Sequence, residues 1–263
     1  MKDICILINS CINYSDMWGN IEFLYNKYWN NHPNIFLLTD KDGDTKKQLE
    51  TITFDGDMSD RLIFALNHIK TKYVFLSFDD YYPKKQVNVQ KIESLLELMK
   101  SKNLDYCRVF YDPKVSGKPQ SNLKFRDLPL EKTYEVNFYP AIWKRTSLIK
   151  LLKSNEDIWK TEARLTRRAK ENGLKCIYVK ENGIFDFVDV VRKGKYLRSA
   201  YRHLKRNNLF ISDRKKRTIK ETLHLNTRIF LSNHLPKGMK EHLKEKGRKK
   251  GSIYYSDYAE TDD

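Results

Sequence analysis

The sequence is poor in several things, and each shortage excludes a class of protein. No apolar run approaches the roughly 18 to 20 residues that a membrane-spanning helix needs. The run Ile4–Ile8, behind a single Lys2, is too short for the apolar centre of a secretory signal. The expectation is a cytoplasmic protein without a transmembrane anchor. Cysteine is sparse, and Cys5, Cys11, Cys107 and Cys176 show neither CxxC spacing nor nearby histidine clusters. That argues against a zinc site or a disulfide framework. Glycine is also scarce, 10 in 263 residues, and no glycine-rich Lys/Arg loop follows the first apolar run to cradle a triphosphate.

Acid is nearly missing from one stretch. Between Val191 and Lys250 only Asp213, Glu221, Glu241 and Glu245 stand against 20 Lys and Arg, an excess of 16 that equals the net charge of the whole chain. Such polarised charge is a footprint for an anionic surface, phospholipid or nucleic acid. Two basic amphipathic helices are expected here. One carries Leu197, Ala200, Tyr201 and Leu204 on a stripe, and the other runs from about Asp213 to Asn233. Without a spanning segment they suit peripheral docking on the inner face of the cytoplasmic membrane. The Lys-rich segment 238–250 reads as frayed, and 251–263 as a disordered, acidic tail.

What is present centres on Tyr73–Pro83, Tyr-Val-Phe-Leu-Ser-Phe-Asp-Asp-Tyr-Tyr-Pro. An apolar, β-branched and aromatic run bounded by turn residues is the pattern of a strand buried on both faces. It delivers Asp79 and Asp80 to its C-terminal edge, where open α/β sheets bind ligands. Paired carboxylates there are costly unless a cation neutralises them, and oxygen donors suit Mn²⁺ or Mg²⁺. Capping of a following turn would also account for them.

Upstream, the strand Asp3–Asn9 ends in Asn9-Ser10. A helix follows at Trp18–Trp29, then a strand at Ile35–Thr39 ending at Asp40 and another at Thr51–Phe54. A helix at Ser59–Lys70 is expected to be capped by Ser59, with Leu62, Ala65, Leu66 and Ile69 as its stripe. Arg61 in its first turn is disfavoured by the helix dipole and asks for an anionic partner. Downstream come a helix at Lys84–Lys102, a strand at Leu104–Tyr111, a loop at 112–130 and a closing strand at Lys175–Val179. Alternating strands and helices of this kind predict a doubly wound α/β fold, with a mixed, mainly parallel sheet flanked by helices.

The ordered set from Ser59-Asp-Arg-Leu through Tyr73-Val to Asp79-Asp80, with Pro140-Ala-Ile-Trp-Lys-Arg145 and Trp159-x-x-Glu162, resembles bacterial GT-A glycosyltransferases that build capsular polysaccharide and lipopolysaccharide. The resemblance covers roughly residues 3 to 210. It implies a Rossmann-like catalytic domain at 1–195 with a basic helical extension at 196–250. It implies too a nucleoside-diphosphate sugar donor and a saccharide acceptor carried on a lipid. Asn9, Ser10, Asp40 and Arg61 would then shape the nucleotide site, and Asp80, with Asp79, would hold the metal. Arg192 and Lys195 of Arg192-Lys-Gly-Lys195 would steady the departing diphosphate, the glycine letting backbone and cations approach. Glu162 matches the family's acidic position, and transfer with inversion needs such a carboxylate base. Glu156 and Asp157 are its fallbacks. Trp143 and Trp159 could stack on an acceptor sugar or serve burial. Two rivals remain: a nucleic-acid-binding protein using the basic helices, and a nucleotidyltransferase on a similar sheet.

Overall fold

A computed structural model describes residues 1–43, 49–109, 125–179 and 184–261. The first half runs β1 (Ile4–Asn9), α1 (Trp18–Tyr28), β2 (Ile35–Thr39), β3 (Glu50–Thr53), α2 (Met58–His68), β4 (Tyr73–Phe78) and β5 (Tyr81–Pro83). Next come α3 (Val89–Ser101), β6 (Tyr106–Arg108), β7 (Phe125–Asp127), β8 (Ala141–Lys144), α4 (Arg145–Leu151), α5 (Ile158–Glu171) and β9 (Cys176–Val179). The chain then forms β10 (Phe187–Asp189), β11 (Val191–Arg192), β12 (Lys195–Tyr196), α6 (Arg198–Arg206), α7 (Ile219–His234) and α8 (Lys237–Arg248). A 3₁₀ turn at Tyr255–Tyr258 follows.

Eight strands form the central sheet in the order β3-β2-β1-β4-β8-β6-β9-β7. β8 runs antiparallel to both its neighbours and β7 antiparallel to β9, while the other pairings are parallel. This is the mixed, mainly parallel α/β sheet that the strand and helix alternation predicts. Both faces are covered, which is why β1 and β4 read as unbroken apolar runs. Side chains alternate across the sheet. Ile4, Ile6, Ile8, Tyr73 and Phe75 point into one core with α1, α3 and α6. Cys5, Leu7, Val74 and Leu76 point into the other with α2, α4 and α5. The register Ile4↔Tyr73 through Asn9↔Phe78 brings β1 and β4 to a common edge, which positions the site.

Several boundaries differ from expectation. Asp57, not Ser59, stands at the N-cap of α2, because Ser59 is drawn inward, its Oγ donating to the Glu156 carbonyl at 3.0 Å. α3 starts at Val89, capped by Asn88, whose side chain accepts the Lys91 N–H. The loop expected at 112–130 lies largely outside the described residues, and its end forms β7. A division at 195 cuts through packed structure, since Tyr196, Ala200, Leu204 and Leu209 belong to the same core as α1 and α3. Segment 238–250 forms most of α8. The expected disordered tail is seated on α5 instead: Arg167 Nε donates to the Ala259 carbonyl at 2.8 Å, and Ala259 is buried.

Candidate active site

The C-terminal ends of β1, β2 and β4 gather Asn9, Ser10, Asp40, Asp79 and Asp80 at one sheet edge. Asp79 is almost wholly buried, 7% exposed. Its Oδ2 accepts from Ser10 Oγ at 2.5 Å, and Ser10 Oγ in turn accepts from the Trp18 indole N–H at 2.7 Å. Burial pushes the Asp79 carboxyl up to about 7, against the Ser10 bond and Arg214, which favour its charged form. Asp80 is raised well above the carboxylate range by burial, then by Asp79 and Asp189. Among the described residues neither aspartate makes an ion pair. Adjacent carboxylates that share no cation raise each other in this way.

The strap after β9 completes this side. β10 pairs antiparallel with β5, setting Asp189 opposite Tyr81, and Val190 N–H donates to the Asp80 carbonyl at 2.8 Å. Arg192 is held by Asp189, Nη2 to Oδ2 at 2.5 Å, and its charge acts on Asp80. Lys195 goes elsewhere, to Glu221 Oε1 at 2.6 Å. Glu221 also forms the capping box of α7 with Thr218. The glycine between them serves the chain turn. Lys193 (φ 55°) and Gly194 (φ 70°) are both left-handed, as a two-residue hairpin between twisted strands requires.

On the β2 side, the Asp40 carboxyl accepts the Ile12 N–H at 2.7 Å. Burial raises its pKa, but that bond, its own backbone N–H and Arg61 outweigh burial and hold it low. Arg61 Nη1 lies 3.8 Å from Asp40 Oδ1. Arg61 Nε and Asn9 Oδ1 are buried without a hydrogen-bond partner among the described residues.

Glu162 lies on α5. Its Oε1 accepts the Phe138 N–H at 3.1 Å, and burial raises its pKa against that one bond. Phe138 packs edge-on to Phe78, the residue before Asp79, with ring centroids 6.3 Å apart. Neither fallback is free for chemistry. Glu156 is clamped by Arg164 and Arg168, and Asp157 caps α5 by accepting the Trp159 and Lys160 N–H groups. Trp143 corrects the stacking expectation: it is fully buried in β8, 4.3 Å from Tyr106 between ring centroids. Its place in the middle of the sheet allows burial only. Trp159, 54% exposed, keeps an open face.

Sequence reasoning missed Arg214, Tyr14, Trp18 and Asp189. Arg214 grips Asp16 with two bonds of 2.7 Å and lies over the Tyr14 ring at 4.2 Å. It bears on Asp79 electrostatically, and Tyr14 is itself raised by burial, then Asp79. Nothing in the run Arg214-Lys-Lys-Arg217 distinguishes the first cation from its neighbours. Only the folding back of the segment after α6 does so.

No protein-family model and no curated protein matches the sequence. Solved structures do. S. aureus TarS aligns with a TM-score of 0.52 at 14% identity over 74% of this chain and 37% of its own. A CMP:2-keto-3-deoxy-manno-octonic acid synthetase complexed with CTP aligns at 0.46 with 14% identity, over 71% of this chain and 93% of its own. A cytidylyltransferase from Leptospira borgpetersenii aligns at 0.47 with 12% identity, over 90% and 98%. This chain therefore spans little more than a third of TarS, and what it shares with TarS is the α/β fold built on a mainly parallel sheet.

Proposed function

We propose that the protein is a metal-dependent glycosyltransferase, moving a sugar from a nucleoside-diphosphate donor to a lipid-linked saccharide acceptor in cell-surface polysaccharide synthesis. The observation that carries this reading is the pair Asp79–Asp80 at the sheet edge, Asp79 buried and Asp80 half-buried, with neither in an ion pair among the described residues. Two such carboxylates are costly alone and favourable beside a hard cation. Among the described residues no cluster of three or more His, Cys, Asp or Glu could enclose a metal. That suits Mg²⁺ or Mn²⁺, which take one or two protein carboxylates and fill their shell with water and phosphate oxygens. When bound, the cation would offset the negative charge that builds on the departing diphosphate.

The side chains then divide the work. Ser10, steadied by Trp18, fixes the Asp79 carboxylate. Asn9, Asp40 and Arg61 offer the nucleoside an open acceptor, a held carboxylate and a guanidinium. Arg192 and Arg214 supply positive charge on either side of the acid pair, each oriented by its own aspartate. Such preorganised charge is usually the largest catalytic term. Lys195 stays with Glu221 and receives no role. Glu162, raised by burial, is the base that takes the acceptor hydroxyl's proton as the glycosidic bond forms. The exposed basic helices α7 and α8 set the enzyme against anionic lipid, where the acceptor resides.

A nucleotidyltransferase would use the same sheet edge, so the test must separate the two. Thermal shift is measured with nucleoside diphosphates, sugar nucleotides and nucleoside triphosphates, with and without Mn²⁺, on wild type and Asp80→Ala. The expected result is stabilisation by one nucleoside diphosphate and its sugar, about 2.7 kcal/mol at a hundredfold excess over the dissociation constant, lost without metal and in the variant. Stabilisation by triphosphate alone, with pyrophosphate released on adding a sugar phosphate, would replace glycosyl transfer by nucleotidyl transfer.

A further inference from the structure

The tail that docks on α5 leaves an exposed aromatic surface which the donor site does not use. Trp159 and Tyr255 are 54% and 40% exposed, unlike most large aromatics of the core. Their rings are 5.9 Å apart between centroids and inclined by 37°. Tyr258 continues the row, 6.2 Å from Tyr255, with the Lys160 ammonium over it at 4.6 Å.

This row is held in place. Arg164 Nε donates to the Tyr258 carbonyl at 3.2 Å, and Arg167 reaches the Ala259 and Thr261 carbonyls at 2.8 and 3.3 Å. Arg164 is itself fixed by buried Glu156 at 2.5 Å. From the other side, Arg248 of α8 forms two 2.8 Å bonds to Asp257, and Lys244 donates to Ser256 Oγ at 2.9 Å. An exposed aromatic pair on a frayed end would be unremarkable. One anchored by buried Arg164 and half-buried Arg167 has a fixed geometry.

The row also lies beside Glu162. Trp159 precedes Glu162 by three residues on α5, the spacing that brings side chains to neighbouring positions on a helix. The Tyr134 hydroxyl is raised to about 12 by burial, then by the charges of Glu162 and Asp257. Tyr134 moreover has φ 71°, a left-handed conformation that a bulky side chain adopts only under strain, and such strain concentrates at functional sites.

We propose that Trp159 and Tyr255 form a saccharide-binding subsite for the acceptor, completed by the C-terminal tail. The inference rests on Glu162 being the base. Aromatic rings with polar tips, open on one face and rimmed by Lys160, Asp257 and Arg248, match the amphipathic surface of a sugar, whose C–H face is apolar and whose edge is hydroxylated. A purely apolar partner would leave these polar rims unmatched.

The test uses the full chain on immobilised di- and trisaccharides of hexoses and N-acetylhexosamines, with sugar-nucleotide binding in Mn²⁺ followed separately by thermal shift. Wild type is expected to retain at least one saccharide. Trp159→Ala and Tyr255→Ala should each weaken that binding roughly five- to tenfold, Trp159→Phe less, with melting temperature and the donor shift unchanged. The proposal fails if wild type retains no saccharide, or if both alanine variants bind as wild type does. Saccharide binding that depends on Trp159 in a protein that shifts with no sugar nucleotide would keep the subsite and overturn the donor reading.

Discussion

Two buried acidic centres face opposite fates in this molecule. Glu156 and Asp79 are each 7% exposed. Around Glu156, Arg168 makes two bonds of 2.7 and 2.5 Å, Arg164 one of 2.5 Å and Thr161 one of 2.7 Å. Burial raises its carboxyl, but these partners prevail and bring it to about 2. Around Asp79 the bonded side chain is a neutral serine, its neighbour is another carboxylate, and burial carries it up to about 7. The same burial therefore yields a charged strut in one place and an uncompensated carboxyl in the other. What separates them is whether the protein brings its own cation, and a buried acid without one is where an external cation is favoured.

The sharpest way to break this contrast is to remove the internal cation. The double variant Arg164→Ala/Arg168→Ala strands Glu156 in the core, and the expected loss is roughly 3–5 kcal/mol by urea denaturation. A loss under 1 kcal/mol would mean that Glu156 is not held as described. The converse holds at the sheet edge: Asp79→Asn removes uncompensated charge and should leave stability equal or higher, while abolishing the metal-dependent nucleotide shift.

The pH dependences should differ in sign. Glu156 has a folded pKa below its unfolded one, so its contribution, about 3 kcal/mol, is complete above pH 4.5 and is lost as pH falls toward 2. Asp79 has a folded pKa above its unfolded one, so its contribution, roughly 4 kcal/mol, is complete below pH 3.8 and is lost as pH rises toward 7. In chelator the wild type should lose stability between pH 4.5 and 7, and Asp79→Asn should make that limb shallower, leaving the part that Asp80 and Glu162 contribute. A wild type that gains stability over that interval would refute the assignment.

Glu162 sharpens the contrast in kinetics. It too is a carboxylate raised by burial without an ion pair among the described residues, bonded only by the Phe138 N–H. Glu162→Gln preserves that bond but takes away the base. Transfer should fall about a hundredfold or more, with the donor thermal shift unchanged. Equal loss of donor binding would move Glu162 out of the acceptor side.

Much of this was readable in advance, for reasons specific to each element. β1 and β4 announce themselves because strands buried on both faces are apolar without interruption, and their ends place Asn9, Ser10, Asp79 and Asp80 where the fold gathers them. The contrast between Glu156 and Asp79 was not readable. Glu156 stood as a fallback base, since its partners Arg164 and Arg168 reveal themselves only as helix neighbours turned inward. Trp143 looked like Trp159 in the sequence, and only the register of β8 between β4 and β6 buries one and not the other. Arg214 and the docked tail depend on contacts across 198 and 92 residues of chain, respectively, which no local pattern encodes.

The same question of compensation applies to apolar surface, and α7 gives the smallest expected effect. Ile219, Leu223 and Phe230 share one stripe at helical spacing and are 63%, 61% and 60% exposed. Met239 and Leu243 on α8 repeat the pattern at 53% and 47%, with Lys246 continuing the stripe. No helix of the described chain is long and apolar enough to cross a membrane, whereas an apolar stripe among lysines and arginines fits the interface of an anionic bilayer. Sedimentation with vesicles should therefore require anionic lipid and weaken with salt. Since partial insertion of one large side chain is worth about 1 to 1.5 kcal/mol, Phe230→Asp should reduce it about tenfold. Being exposed, the substitution should change stability by no more than about 0.5 kcal/mol. If Phe230→Asp lowers the melting temperature instead and vesicle binding persists, the stripe is covered by protein, and α7 belongs with Glu156 among the elements the chain satisfies by itself.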